Sequence, residues 1–174
     1  MLARNIGNPD GRIRMDAAPL MTEFARLRDR PQASAEFPLR MIGMRETRSH
    51  NSWLHNVPRL VANRRSPGLR IHPADARGAG VAHGGLVRVT SNIGHVDVVA
   101  TVTDEMMPGT VALPHGWGHV GGWNVAARAG GVNSNMLASC RDEDIEPLAG
   151  MTRLNGIPVR VEPAPCGDYR TMVG

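Results

Sequence analysis

The stretch "GLVRVTSNIGHVDVVATVT" (85–103) restricts the fold more than any other part of the chain. Apolar and polar residues alternate along both of its halves, a period of two that a helix cannot use and a half-buried strand requires. "NIG" at 92–94 separates the halves. The pattern predicts a β-hairpin, with Gly94 supplying an unusual backbone angle at the turn. A lone hairpin is marginal in water, so further strands must cover it.

Those strands can be found elsewhere. "PLRMIGM" (38–44), "LRIH" (69–72), "TVALP" (110–114) and "NGIPVRVEP" (155–163) are short, rich in branched apolar residues and bounded by turn formers. In the last of them Val159 and Val161 share one face. "PADARGAG" (73–80) begins with Pro and ends with Gly, and reads as a two-turn helix. Residues 115–151 read as one long glycine-rich polar loop, a length that a compact domain keeps only when the loop is functional. Aromatic residues make up only 3% of the chain, so Val, Leu, Ile, Ala and Met must form the core. Five or six strands, one or two short helices and no βαβ repeat predict a mainly β fold, and closing the sheet into a barrel removes its edges.

Residues 1–37 read as an N-terminal extension. Within it "DAAPLMTEFARLRDR" (16–30) predicts an amphipathic helix capped by Asp16, with Pro19 in its first turn and Leu20, Phe24 and Leu27 on one face. "RPQASAEFP" (30–38) reads as a linker, residues 38–163 as the barrel and 164–174 as a tail.

All 20 basic residues are Arg, so each positive charge is a planar fork suited to bidentate phosphate or carboxylate contacts. Residues 1–88 carry 15 Arg against 7 acids, and residues 89–174 carry 5 against 9. The basic first half suggests an anionic partner. Nucleic acid is not the expected one, because basic residues never run beyond two in a row and no aromatic platform recurs. Cys140 and Cys166 form no CxxC pair, so neither a zinc nor an iron–sulfur site is expected. No apolar run is long enough to span a membrane, and a cytoplasmic location is expected.

"MRETRSHNSWLHN" (44–56) follows a core strand with thirteen residues that are nearly all hydrogen-bonding. It sits in "MIGMRETRSHNSWLHN" (41–56). That segment, "LRIHPADARGAGVAHGGLVRVTSNIGHVDVVATVTDEMMPGTVALPHGWG" (69–118) and "GVNSN…PLAG…LNGIPVRVEP" (131–163) resemble, in order, the C-terminal domain of molybdopterin oxidoreductases related to dimethyl sulfoxide reductase, formate dehydrogenase and nitrate reductase. The resemblance implies a double-psi β-barrel, of the aspartate-decarboxylase-like type, that binds molybdopterin guanine dinucleotide carrying Mo or W. It implies that the cofactor is shared with catalytic domains or a catalytic subunit holding the metal ligand and any iron–sulfur cluster. On this expectation the chain is a C-terminal domain, subunit or fragment, not catalytic alone, with no catalytic or metal-ligating residue of its own. Residues 7–30 resemble the connector to those earlier domains.

By position in the family's motifs, the expected cofactor-binding residues are Gly43, Met44, Arg45, Ser49, His50, Asn51 and Ser52 after the first strand. Many relatives carry a His–aromatic–His–Thr pattern where this chain has Ser49-His50-Asn51-Ser52. His115, Gly116 and Gly118 are expected from "PHGWG", where glycine lets backbone approach a ligand. Asn133 is expected from "GVNSN" and Asn155 from "LNGIPV", where some relatives place a Lys that this chain does not have. The competing reading is a double-psi barrel without pterin that binds protein or nucleic acid, since a fold does not fix a function.

Overall fold

The computed structural model describes residues 5–27, 33–61, 67–119, 121 and 124–165. Six strands form a closed barrel. They are β1 (Leu39–Met44), β2 (Leu69–Ile71), β3 (Leu86–Thr90), β4 (His95–Val102), β5 (Thr110–Pro114) and, last in the chain, β8 (Ile157–Pro163). Around the barrel the order is β1-β5-β2-β4-β3-β8. β1 pairs in parallel with β5, and β2 with β4, while the other four seams are antiparallel. Two short strands, β6 (Ile145–Glu146) and β7 (Met151–Thr152), pair separately. The mainly β barrel expected from the sequence is the fold observed.

The strand periodicity becomes the core. In β3, Val87 and Val89 point inward, and in β4 so do Val96, Val98 and Ala100. Ile157, Val159 and Val161 do the same in β8. Met41, Leu69, Ile71, Val111 and Leu113 complete the interior, all essentially buried. Burying one such side chain contributes about 1.5–3 kcal/mol, and with so few aromatics in the chain the barrel depends on the sum over many small ones.

Three local expectations need correction. Gly94 does not take a positive φ. The turn is closed by Ser91, whose hydroxyl oxygen accepts from the Ile93 and Gly94 amides. Glycine is needed at 94 because a β-carbon there would lie 2.9 Å from the Met136 carbonyl oxygen. The helix of the extension, α1 (Ala18–Arg26), has Ala17 at its N-cap and no side-chain cap, so Asp16 does not close it. Pro does sit in its first turn, but Leu20, Phe24 and Leu27 remain exposed. Finally, residues 115–151 are not one loop. They contain a helix at Asn124–Arg128, 3₁₀ turns at Ser134–Leu137 and Asp142–Asp144, and β6 with the start of β7. The expected helix after β2 forms at Pro73–Gly78, where the His72 ring accepts from the Ala74 amide. Of the expected tail, residues 166–174 and with them Cys166 lie outside the described residues, as do parts of the linker. No helix among the described residues is long and apolar enough to cross a membrane.

Across the β3–β4 seam Arg88 makes two 2.8 Å bonds to both oxygens of Asp97. The hydrogen bond from Arg88 holds the Asp97 carboxyl below its ordinary range. A carboxyl depressed in the folded state stabilises above its unfolded pKa of about 4, and that contribution is lost as pH falls through the folded value. Asp97→Asn should therefore lower the melting temperature by a few degrees at neutral pH. The difference from wild type should shrink on acidification below about pH 4, as followed by circular dichroism.

Candidate functional site

Parallel pairing brings the ends of β1 and β5 together. The register runs from Arg40 opposite Thr110 to Met44 opposite Pro114. The two segments that leave these strands, 45–56 and 115–119, therefore emerge side by side. After Met44 the chain coils through consecutive turns as far as Asn56. His50 and Asn51 take left-handed backbone angles, φ 44° and 61°. Asn adopts that region more readily than most residues, and His is among the enriched types. Amides within this segment bond to nearby carbonyls, as Ser49 does to Glu46 and Leu54 to Ser49.

The interior of the coil is polar and organised. His55 is buried. Its ring stacks on Trp117, with centroids 3.4 Å apart. Ser49, also buried, donates its hydroxyl proton to the Asn51 carbonyl and meets His55 Nε2. Because that hydroxyl has only one proton, His55 Nε2–H donates to it. His55 Nδ1 then accepts from His119 Nε2 at 2.9 Å. Trp117 Nε1–H donates to Glu46 at 3.0 Å, so a residue of each segment satisfies a buried group of the other.

Glycine sets how closely the segments approach. At Gly116 (φ 82°) a β-carbon would be 2.7 Å from the Asn51 carbonyl oxygen, and at Gly118 (φ 82°) it would be 2.8 Å from the Val132 carbonyl carbon. At Gly131 (φ 80°) a β-carbon would lie 2.7 Å from Trp117 Cβ. His115 spans the junction. Its Nδ1–H donates to the Met44 carbonyl at 3.0 Å, and its Nε2 meets the Asn51 side-chain amide at 3.0 Å.

Beside this junction lies a cleft of about 360 Å³. Met44, Arg45, Ser49, His55 and Trp117 line it, with Glu46, Thr47, Arg48 and Arg70. Arg70 reaches Glu105 at 3.3 Å. Arg45 and Arg48 have no side-chain partner among the described residues. The cleft thus joins an aromatic–imidazole wall to two guanidinium forks, which suits a ligand with a flat ring system and anionic oxygens.

The residues singled out from the sequence fall into three groups. Met44, Arg45 and Ser49 line the cleft. Asn51, Ser52, His115, Gly116 and Gly118 build the packed junction next to it. His50 lies on the outer side of the coil, edge-on to exposed Trp53. The Asn133 side chain caps the 3₁₀ turn by accepting from the Asn135 amide. Asn155 accepts from the Gly43 amide at 2.9 Å and faces a neighbouring cleft. Sequence reasoning missed Thr47, Arg48, His55, Arg70 and Trp117. Trp117 did carry a signal: in a chain with 3 Trp, one flanked by two glycines marks a ring that backbone must approach closely.

Comparison with known proteins bears on the family and the fold. The family model described as "Molydopterin dinucleotide binding domain" matches residues 39–158. The molybdopterin-containing subunit of arsenate respiratory reductase from Chrysiogenes arsenatis is 34% identical over 140 residues, which is 70% of this chain and 16% of that protein. A dimethyl sulfoxide reductase of Escherichia coli is 34% identical over 109 residues, 62% of this chain and 13% of that one. Among solved structures, acetylene hydratase from Pelobacter acetylenicus superposes with a TM-score of 0.63 at 25% identity, covering 74% of this chain and 19% of the other. The chain spans about a sixth of the length of such relatives.

Replacing Gly118 by Ala imposes both a left-handed strain and a steric overlap. Replacing Gly84 (φ 78°, open space around it) imposes the strain alone. Gly84→Ala should cost about 1 kcal/mol in denaturant titration, and Gly118→Ala at least twice as much.

Proposed function

The chain belongs to the molydopterin dinucleotide binding domain family, and from that membership we propose that the cleft at the ends of β1 and β5 holds the pyrophosphate and adjoining ring system of a molybdopterin guanine dinucleotide. The single observation that carries this placement is the pair of guanidinium groups, Arg45 and Arg48, that have no side-chain partner among the described residues and lie beside the His55–Trp117 stack. The donor set fits the group. A pyrophosphate is a multiple acceptor, and the Arg forks and the Thr47 hydroxyl that line the cleft are donors. The volume of about 360 Å³ suits part of such a molecule and not the whole of it, as expected of a cofactor shared with other domains.

When bound, the cofactor's Mo or W centre supplies the redox chemistry. The residues of this chain bind and orient. Arg45 and Arg48 neutralise phosphate charge. Trp117 and His55 give the cleft a rigid wall. His115 and Asn51 fix the coil against β5, and Asn155 holds the Gly43 amide at the edge of β1. None of these acts on a substrate. The proposed partner is the catalytic portion of a molybdenum or tungsten oxidoreductase, as another part of one polypeptide or as a separate subunit.

The test is titration of the purified chain, alone and with that catalytic portion, against molybdopterin guanine dinucleotide, followed by calorimetry. Arg45→Met and Arg48→Met should each weaken binding about tenfold, and the loss should grow smaller as salt rises. Absence of binding under both conditions overturns the proposal.

A further inference from the structure

The turn that leads into β8 carries the only Asn–Gly step in the chain, Asn155–Gly156. Every other asparagine is followed by a residue with a side chain. An asparagine side-chain amide is open to attack by the backbone nitrogen of the next residue, and glycine hinders that attack least because it has no β-carbon. Both residues are exposed, so water reaches them. The fold nevertheless commits both reacting groups to β1. The Asn155 side-chain oxygen accepts from the Gly43 amide at 2.9 Å. The Gly156 amide, which would supply the attacking nitrogen, donates to the Met41 carbonyl at 2.8 Å. The NH₂ of Asn155, the leaving group, has no partner among the described residues. Ring closure therefore waits for the start of β8 to lift from β1, where Met41 faces Ile157. Strand ends open at lower free energy than the whole fold.

We propose that Asn155–Gly156 is a self-modification site: β1 restrains its deamidation, and opening of the β1–β8 seam releases it. The Gly156 nitrogen bonds to Asn155 Cγ, the Cγ–Nδ2 bond breaks, and the amide proton leaves with Nδ2 as ammonia. Water then opens the cyclic imide on one side or the other, giving aspartate or isoaspartate. No electrons are transferred, and solvent is the sole co-reactant. In isoaspartate the main chain is one carbon longer and the carboxylate sits one carbon nearer Cα, so it no longer reaches the Gly43 amide. Gly43 precedes Met44, which lines the first cleft. The modification thus loosens β1 where it passes into the 45–56 coil. The proposal does not rest on the pterin reading, because it follows from backbone contacts of the seam alone.

The test incubates the full chain in warm, mildly alkaline buffer and then digests it with trypsin. Cleavage after Arg153 and Arg160 isolates the fragment LNGIPVR, whose one asparagine is Asn155. Mass spectrometry with fragmentation that separates isoaspartate from aspartate follows the reaction. Modification should be fastest at Asn155 of all the asparagines, yet about tenfold slower than in synthetic LNGIPVR, because the bonds to β1 must open first. Urea well below the unfolding transition should speed it, since local opening suffices. Chains that carry isoaspartate should melt lower than the unmodified protein. Asn155→Asp, which keeps an acceptor at the same reach, should melt close to it, and this separates the added charge from the altered backbone. Asn155→Gln should remove the event. A rate in the folded chain equal to that of the free peptide, a rate that stays at zero until global unfolding, or isoaspartate that leaves melting unchanged overturns the proposal.

Discussion

The parallel register of β1 on β5 is the constraint from which the site follows. Antiparallel partners would send their exits to opposite ends of the barrel. Parallel partners send them to the same end. With Met44 opposite Pro114, two segments more than sixty residues apart in sequence leave the barrel as neighbours. Glu46 can then reach Trp117, His55 can reach His119, and Asn51 can reach His115. A slip of one residue would turn Met41 and Leu113 out of the core, so the hydrophobic pattern enforces the alignment that the polar groups need.

The polar interior of the 45–56 coil is costly to build and is therefore fully connected. A buried imidazole and a buried hydroxyl are tolerated because each nitrogen and oxygen named above has a partner. The stacked indole covers one face of His55 and keeps water from it. Rigidity at the cleft wall thus comes from side chains and not from regular secondary structure, which is why the segment can lack helix and strand and still hold one shape.

Much of the barrel was legible because period-two alternation survives in β3, β4 and β8, and because Pro and Gly bracket the helix after β2. Legibility stopped where tertiary contact outweighs local signal. The helix at Asn124–Arg128 and the β6–β7 pair lie in a glycine-rich run with no apolar period. Gly94 was assigned to a turn angle when its role is clearance from Met136, a residue 42 positions away that no local reading could supply. Within the site, the motif positions led to Met44, Arg45 and Ser49. His55 was hidden because a buried histidine looks like its solvated neighbours in a polar stretch, and its burial depends on a tryptophan 62 residues later.

The missing β-carbons at Gly116, Gly118 and Gly131 have a consequence for how this domain diverges. Each marks a place where one segment rests against the backbone or a packed side chain of another. The three segments therefore form a single mechanical unit, like interlocked gears cut to one pitch. Transplanting any one of them from a distant homologue would jam against the other two, so chimeras of such barrels should tolerate exchange of the whole set far better than exchange of its members.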